Sequence, residues 1–313
     1  MSSPARRRPW LAGLLAVVSP GLGHVYSGNP KLGVVLSVGR WLPLIVTLTL
    51  GTLLDWNLYT CLLAVIPYFA IYVAQIPWAV IAARKADEDY TLRWFNRASF
   101  YLGYALTMMV LSFSAALTTR ARVVEAFKIP AGSMRPSIVP GDQVFVVKIG
   151  PLVSSYAPGD LIIFRHPESG ATYIKRVVAR GGDSVEVSSG VVSVNGRPLG
   201  YRRCETMQLD YVEMEVNGPV TLSADCYVES MSNGHSYKTL RSIDPDDGAR
   251  DYGPETIPDH HFFVLGDNRD NSWDSRFWGF VPVEGVIGKP AVIWWSEDPT
   301  DGSLRLDRLG QRP

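Results

Sequence analysis

The sequence predicts two structural parts in one chain, an N-terminal α-helical membrane region followed by a mainly-β, barrel-like domain. Residues 1–120 contain long uncharged apolar runs, whereas residues 121–313 contain most of the acidic residues, the turn residues and the patterns typical of strands. The chain carries 30 basic and 30 acidic side chains. With a formal net charge of zero, no overall field favours nucleic acid as a partner.

Three segments of the first part are long and apolar enough to be membrane spans, at about 32–54, 58–83 and 98–119. The second and third contain no charged residue. The first contains Arg40, so it qualifies only if this side chain reaches the interface or faces other helices. The segment 10–22 is shorter and ends at a Pro-Gly turn, which favours a re-entrant or interfacial segment. A fourth span is the alternative.

Basic residues near these segments predict the orientation, because Lys and Arg prefer cytoplasmic loops. They occur before the first span and between the second and third, at Arg6–Arg8, Lys31, Arg84, Lys85, Arg93 and Arg97. Three spans then place residues 121–313 outside the cytoplasm. Four spans with the same exit would place Arg6–Arg8 outside, which is less favourable. A cleavable secretory signal is disfavoured, since no small-residue cleavage site follows the first apolar stretch.

The second part alternates short β-rich runs with turn signals. Runs such as 144–147, 161–164 and 173–178 are rich in β-branched residues, and Pro-Gly-Asp or Asn-Gly sequences separate such runs. Many short strands with regular turns predict an all-β, barrel-like domain. The region 204–256 is more polar, which indicates an insertion into that domain.

The three cysteines divide between the two parts. Cys61 lies in a predicted span and is interpreted as a small packing residue. Cys204 and Cys226 lie in the part predicted to be outside the cytoplasm, where disulfides persist, so we expect them to be bonded to each other. Neither belongs to a Cys-x-x-Cys or zinc-ligand pattern, so we expect no metal site.

Ser133 is the candidate nucleophile. It lies in the segment Ile-Pro-Ala-Gly-Ser-Met-Arg-Pro at 129–136, between small and turn-forming residues that follow the last apolar segment. The segment is not Gly-x-Ser-x-Gly, so it does not indicate the nucleophile elbow of an α/β-hydrolase. By itself, this pattern is more typical of an ordinary loop serine, and a catalytic role requires a base.

Lys175 is the candidate base. None of the five histidines lies in a recognisable triad motif, although motif order alone does not exclude a triad. A lysine can accept a serine proton where apolar surroundings lower its pKa. Lys175 lies in an apolar strand, and strand alternation puts Arg176 on the opposite face, where it can remain solvated. An ordinary lysine on an edge strand is the alternative interpretation.

The run Gly266–Arg276 is the third candidate element, with three aspartates and two arginines. Such a run is usually a solvated loop. Here it follows the apolar residues 262–265 and precedes the apolar residues 277–280. This context predicts a partly buried hydrogen-bonded network, which could hold Ser272 against Lys175.

Together these elements resemble the successive motifs of the bacterial type I signal peptidases. The matching segments occur in the family's order within about 125–295, at 129–136, 159–164, 173–176, 182–183 and 266–276. The resemblance implies a Ser–Lys protease domain of signal peptidase type, with 204–256 in its variable region. The implied activity removes signal peptides from exported preproteins by cutting after small residues, typically Ala-x-Ala.

The resemblance also implies a location and partners. It implies a multi-pass protein of the bacterial inner membrane with its catalytic domain on the outer, periplasmic face. Preprotein signal peptides and the lipid bilayer would be its partners, and association with the secretion machinery is compatible with this location. No cofactor is implied.

Individual roles follow at the matching positions. Ser133 would be the nucleophile, Lys175 the general base and Ser272 the residue that orients the lysine. A supporting network of ion pairs matches Arg176, Asp267, Asp274 and Arg276. The walls of a shallow substrate pocket match Phe127, Ile129, Met134, Ile138, Ile163 and Ile174. Such walls would admit an alanine methyl and exclude larger or charged side chains. Ala131 belongs to the same substrate-binding set. Some relatives have a serine at this position and others a glycine, so Ala131 lacks the hydroxyl with which that serine would stabilise the oxyanion.

Other functions remain open from the sequence alone. A Ser–Lys self-cleaving repressor protease would have a similar domain but would be cytosolic and lack the spans. A membrane scaffold or partner-binding protein with an inactive protease-like domain is disfavoured, because Ser133, Lys175 and Ser272 are all present. A small-molecule transporter has little support, since the apolar segments contain few charges.

Overall fold

The computed structural model describes residues 6–46, 58–86, 90–148, 156–215, 218–242 and 251–313. The chain divides into two compact units, Met1–Val123 and Val124–Pro313. The first is helical and the second is mainly β. Each unit is described by itself.

The helices of the first unit include α1 (Pro9–Val18), α2 (Leu22–Tyr26), α3 (Pro30–Gly39), α4 (Leu58–Arg84) and α5 (Ala98–Arg122). Proline occupies the first turn of α1 and of α3, where its missing N–H leaves no hydrogen bond unmade. Among the described residues, Val65–Arg84 and Ala98–Arg122 are long and apolar enough to cross a bilayer.

The remaining membrane segments stay predictions. Residues 47–57 lie outside the described residues and include the end of the predicted span 32–54. The 10 residues of α1 are too few to cross a bilayer as one helix, which is compatible with a re-entrant or interfacial segment. Close packing holds α1 near α2 and α4. A Cβ at Gly23 would lie 2.3 Å from the Ala12 carbonyl oxygen and 2.8 Å from the Ala79 Cβ, so only glycine fits there.

The second unit contains 14 strands within its described residues, so the expected mainly-β domain is confirmed. They are β1 (Val124–Lys128), β2 (Asp142–Val147), β3 (Leu161–Arg165), β4 (Thr172–Arg180), β5 (Ser184–Ser188), β6 (Val191–Val194), β7 (Arg197–Pro198), β8 (Gly200–Glu215), β9 (Gly218–Ser230), β10 (Ser236–Ser242), β11 (Tyr252–Thr256), β12 (His261–Leu265), β13 (Val281–Pro282) and β14 (Val286–Ser296). One short helix, α6 (Ser275–Trp278), follows β12.

These strands form three antiparallel sheets. The largest has the order β1-β2-β14-β3-β4-β12-β13, and the others have the orders β10-β9-β8 and β11-β5-β6-β7. The alternating apolar residues of the strands pack into the cores. One core cluster includes Phe263, Val178 and Ile257, and another includes Val144, Met134 and Ile293.

Strand β4 determines where the candidate residues meet. It lies inside the large sheet between β3 and β12, where Ile162 is paired with Lys175 and Leu265 with Arg176. The run Gly266–Arg276 begins where β12 ends, and therefore starts beside these two cations. The edge-strand interpretation of Lys175 is wrong, because β4 has a neighbour on each side.

The polar region 204–256 forms most of the sheet β10-β9-β8 and contributes β11, which pairs with β5. Cys204 on β8 and Cys226 on β9 form a disulfide with a Cα–Cα distance of 5.4 Å. The bond joins positions 22 residues apart and closes the hairpin of β8 and β9.

We expect loss of this disulfide to destabilise the second unit. In the chain-entropy model, a loop of about this length restricts the unfolded chain by about 3 kcal/mol. Cys226→Ala should therefore lower the midpoint of thermal unfolding in detergent, whereas Cys61→Ala, a cysteine of the first unit, should leave the unfolding of the second unit unchanged. Alkylation of three thiols in the unreduced, denatured protein would show that the bond does not form.

Candidate active site

Lys175 and Ser133 form a hydrogen bond in the second unit. Lys175 Nζ donates to Ser133 Oγ at 2.7 Å. The lysine is only 2% exposed, whereas Ser133 is partly accessible in the loop after β1. The side chain most able to accept the serine proton is therefore within reach of the serine hydroxyl.

Burial lowers the pKa of Lys175 to about 8. Removing the ammonium from water is the largest cause, and the nearby positive charge of Arg276 acts in the same direction. Asp274 and Asp267 oppose the shift, because negative charge stabilises the ammonium. Desolvation prevails, so a substantial fraction of the amine is neutral close to neutral pH.

The loop that carries Ser133 is held from its carbonyl side by Asn268. The Asn268 N–H donates to the Ser133 carbonyl oxygen at 3.1 Å, and Asn268 Nδ2 donates to the Gly132 carbonyl oxygen at 3.3 Å. Among the described residues, the Ser133 N–H has no acceptor. It is thus a backbone donor that remains available next to the nucleophile.

Arg176 and Asp267 form a buried bidentate ion pair. Arg176 Nε donates to Asp267 Oδ1 at 2.7 Å, and Nη2 donates to Oδ2 at 2.6 Å. Ser137 Oγ donates to the same carboxylate at 2.5 Å, and Arg176 Nη1 donates to the Gly159 carbonyl oxygen at 2.6 Å. The expectation that Arg176 stays solvated is wrong. Alternation correctly puts it on the other face of β4, but the Tyr237 ring covers that face, 4.1 Å from the guanidinium carbon.

Asp274 and Arg276 form a second buried pair. Arg276 Nε donates to Asp274 Oδ1 at 2.8 Å, and the Gly266 N–H donates to Asp274 Oδ2 at 3.0 Å. Asp274 also caps α6 through the Arg276 N–H. The pair thus fixes both ends of the run, Gly266 where it leaves β12 and Arg276 in the helix that follows.

Ser272 is buried in the same run, but it does not bond to the lysine in this structure. Within the described part of the chain, its Oγ has no hydrogen-bond partner. It packs against Gly266, where an added Cβ would lie 2.2 Å from Ser272 Oγ and 2.6 Å from the Ser133 carbonyl oxygen. Ser272 and the Ser133 carbonyl group therefore both pack closely against the same glycine.

The predicted pocket residues come together, with one exception. One apolar cluster contains buried Ile129, Met134, Ile138 and Ile163, with partly buried Phe127 and Ile174 packed against it. Ala131 is exposed and lies outside this cluster. Because Met134 directly follows Ser133, this apolar cluster lies beside the Ser133 hydroxyl, and Phe127 and Ile174 are its partly accessible members.

Other features of the second unit do not belong to this site. A cavity of about 320 Å³ is lined by residues that include Val178, Arg180 and Met231, but neither Ser133 nor Lys175 lines it. Within the described ranges, no group of three or more His, Cys, Asp or Glu residues could hold a metal ion. The sequence analysis did not predict a role in the site for Asn268 or Ser137. The first lies inside the recognised run, but nothing in the pattern distinguishes a positioning amide from a turn residue.

Comparison with known proteins identifies relatives of this chain. A family model described as signal peptidase, peptidase S26, matches residues 102–295. Signal peptidase I of Aquifex aeolicus is 33% identical over 214 residues, which cover 60% of this chain and 82% of the relative. Signal peptidase I of Pseudomonas aeruginosa is 31% identical over 70% of this chain and 82% of the relative.

A solved structure gives a weaker match. A signal peptidase I from Enterococcus faecalis is 23% identical, and the match covers 43% of this chain and 96% of the solved chain. Its TM-score is 0.25.

Gly266 generates a prediction about stability. Gly266→Ala should lower the free energy of unfolding by about 1–3 kcal/mol, because overpacking forces the Ser133 loop and Ser272 apart. The matched control is Gly200→Ala, whose added Cβ would lie 3.4 Å from its nearest neighbour, in ordinary contact. Denaturant unfolding of both variants measures the difference. Equal stability of the two would contradict the close approach at Gly266.

Proposed function

Because this chain belongs to the signal peptidase family, we propose that the serine peptidase activity by which it removes signal peptides uses Ser133 as nucleophile and Lys175 as general base. The observation that carries this assignment is the 2.7 Å hydrogen bond between Lys175 Nζ and Ser133 Oγ. The lowered pKa of the lysine, at about 8, adds to it, since only a neutral amine can take the serine proton.

In the first half of the reaction, Ser133 Oγ attacks the carbonyl carbon of the scissile peptide bond while Lys175 accepts the hydroxyl proton. The tetrahedral intermediate then collapses. Lys175 returns the proton to the leaving nitrogen, and the signal peptide remains bound to Ser133 as an ester. At pH 7, a pKa of about 8 leaves roughly a tenth of the lysine neutral before substrate binds.

In the second half, water replaces the departed amine. Lys175 accepts a proton from the water as its oxygen attacks the ester carbonyl, and then donates that proton to Ser133 Oγ. This step regenerates the serine hydroxyl and releases the signal peptide with a free carboxylate. One amine thus acts as base and acid in each half of the cycle.

Negative charge on the scissile carbonyl oxygen needs a donor, and the Ser133 N–H, which has no acceptor among the described residues, supports that role. Asn268 Nδ2 binds the Gly132 carbonyl, which shares one planar peptide unit with the Ser133 N–H, and the Asn268 N–H binds the Ser133 carbonyl. These two bonds fix the direction of the Ser133 N–H in advance. Ala131 contributes only a methyl group, so the proposed oxyanion site relies on backbone donors.

The two ion pairs have a proposed supporting role. Asp267 and Asp274 are each paired with an arginine. The positive charge of that arginine offsets much of the negative charge that would otherwise stabilise the Lys175 ammonium. This arrangement lets the lysine pKa stay low beside two carboxylates. We assign Ser272 as the residue that orients the neutral amine, because its buried hydroxyl has no hydrogen-bond partner in the described part of the chain and is available for the amine.

The apolar cluster beside Ser133 supports specificity for small residues before the cleaved bond, as in Ala-x-Ala. Its partly buried members Phe127 and Ile174 are accessible to a substrate side chain, whereas Met134 and Ile138 are fully buried. An alanine methyl gains apolar contact there, whereas a charged side chain would lose its hydration without a partner.

We further propose that the first unit anchors the enzyme in the bacterial inner membrane as a multi-pass segment, with the catalytic unit on the periplasmic face. Two long apolar helices and the distribution of basic residues support this topology. The lipid bilayer is then a partner, and substrates reach the enzyme at the membrane surface, where association with the secretion machinery would deliver them. An inactive scaffold has no observation in its favour.

Substitution of either member of the pair tests the mechanism. Ser133→Ala and Lys175→Ala should each lower the rate of preprotein cleavage by at least about 10³-fold, because nucleophile and base act as one unit. The matched controls are Ser188→Ala and Lys238→Ala, which change exposed strand residues. Cleavage of a purified preprotein, followed by gel mobility and mass, gives the rates. Full processing by either variant would exclude the pair.

The lysine base also predicts the pH dependence. Below a pKa of about 8 the amine is increasingly protonated and cannot accept the serine proton. The value of kcat/KM should therefore fall about tenfold per pH unit on the acid side and level off above the pKa. A peptide substrate without titratable groups, assayed from pH 6 to 9.5, measures this limb. A flat profile over that range is incompatible with a lysine base of lowered pKa.

A further inference from the structure

A buried carboxylate outside the assigned site belongs to Glu229 on β9. Glu229 is 0% exposed, and Arg269 Nη2 donates to its Oε2 at 2.5 Å. Tyr237 Oη donates to the same oxygen at 3.3 Å, and Thr239 Oγ1 donates to Oε1 at 3.2 Å. Arg241 Nη2 lies 3.8 Å from Oε1. The carboxylate is therefore held from several directions within the core.

Arg269 connects this carboxylate to the run that contains Asp267. Its side chain is buried, and its Nε donates to the Gly266 carbonyl oxygen at 3.1 Å. Its N–H donates to the Leu240 carbonyl oxygen at 2.9 Å, so β10 pairs with the run at this point. Arg269 thus binds Glu229 at one end of its guanidinium and the backbone of the run at the other.

The segment held by Arg269 contacts the nucleophile. Gly266 packs against the Ser133 carbonyl oxygen, and the Asn268 N–H donates to that same oxygen at 3.1 Å. A displacement of Gly266 or Asn268 therefore moves the Ser133 backbone and the N–H proposed for the oxyanion site. Arg269 bonds directly both to Glu229 and to this segment.

A second route leads from Glu229 to Arg176. Tyr237, whose hydroxyl donates to Glu229, lies with its ring 4.1 Å from the Arg176 guanidinium carbon. Arg176 in turn binds Asp267 and the Gly159 carbonyl oxygen. Both routes begin on the β8–β10 sheet and end at groups around the Ser133–Lys175 pair.

We propose that Glu229 is a positioning residue for catalysis, which holds Arg269 and thereby the Gly266–Asn268 segment against Ser133. This inference rests on the proposed roles of Ser133 and Lys175. It makes the β8–β10 sheet, which the sequence indicates only as an insertion, a structural part of the active site. The physical reason is that the charge of Arg269, without Glu229, would be buried and uncompensated, which is strongly unfavourable. The guanidinium would therefore move away from Gly266 to where another acceptor or water can bind it.

Glu229→Gln tests this role with little change in shape. We expect kcat for signal-peptide cleavage to fall about 10- to 100-fold, because a small displacement of reacting groups has effects of this size. KM should stay within about twofold, since the apolar substrate cluster is not touched. Asp225→Asn is the matched control on the same strand, because its partner Arg203 is 56% exposed. It should cleave at the wild-type rate.

A double variant separates positioning from stability. Glu229→Gln with Arg269→Met removes both buried charges, and such replacement is often neutral or stabilising. The midpoint of thermal unfolding should therefore recover relative to Glu229→Gln, while kcat stays low because Gly266 has lost its donor. Recovery of both the unfolding midpoint and kcat in the double variant would show that Glu229 only stabilises the fold. A kcat of Glu229→Gln within twofold of wild type would overturn the proposal. Ser133→Ala, assayed in parallel, shows separately whether the proposed nucleophile stands.

Discussion

A lysine amine that must be both buried and neutral is the constraint on which the proposed mechanism depends. Such an amine cannot share its surroundings with unpaired carboxylates, because a free negative charge would restore the ammonium. The structure meets this constraint by pairing the nearby acids with arginines, Asp267 with Arg176 and Asp274 with Arg276. The arginines also occupy the hydrogen-bonding capacity of these carboxylates, so that Lys175 is left with the hydroxyl of Ser133.

The sheet order explains how one amine acquires such a neighbourhood. Lys175 lies on a strand with neighbours on both sides, and the loop after β1 and the run after β12 cover its end of the sheet. Side chains that are far apart in sequence therefore meet over a few residues of β4. Backbone bonds from Asn268 to Ser133, and from Leu240 to the run, join these segments directly. The site is thus assembled on strand β4 by backbone bonds between loops and by buried lysine and arginine side chains.

The sequence predicted the parts of this arrangement that local patterns can express. Short β-branched runs between turn signals gave the mainly-β unit, and the motif resemblance led to Ser133 and Lys175. Alternation gave the face of Arg176 but not its burial, because the covering ring of Tyr237 comes from another sheet. Glu229 could not be found, since it lies in the polar region 204–256, where no motif marks it, and its partner Arg269 is 40 residues away. The orientation of the Ser272 hydroxyl depends on side-chain rotamers, on which sequence patterns carry no information.

The chemical identity of the base has a consequence for inhibitor design. A primary amine with a pKa of about 8 is a competent nucleophile toward carbonyl compounds near neutral pH, whereas an imidazole base does not form imines. An aldehyde delivered on a small apolar scaffold that binds beside Ser133 would therefore capture Lys175 reversibly as a Schiff base. Serine proteases that depend on histidine offer no equivalent amine at that position. The amine that we propose as the base is thus also a basis for selective covalent recognition.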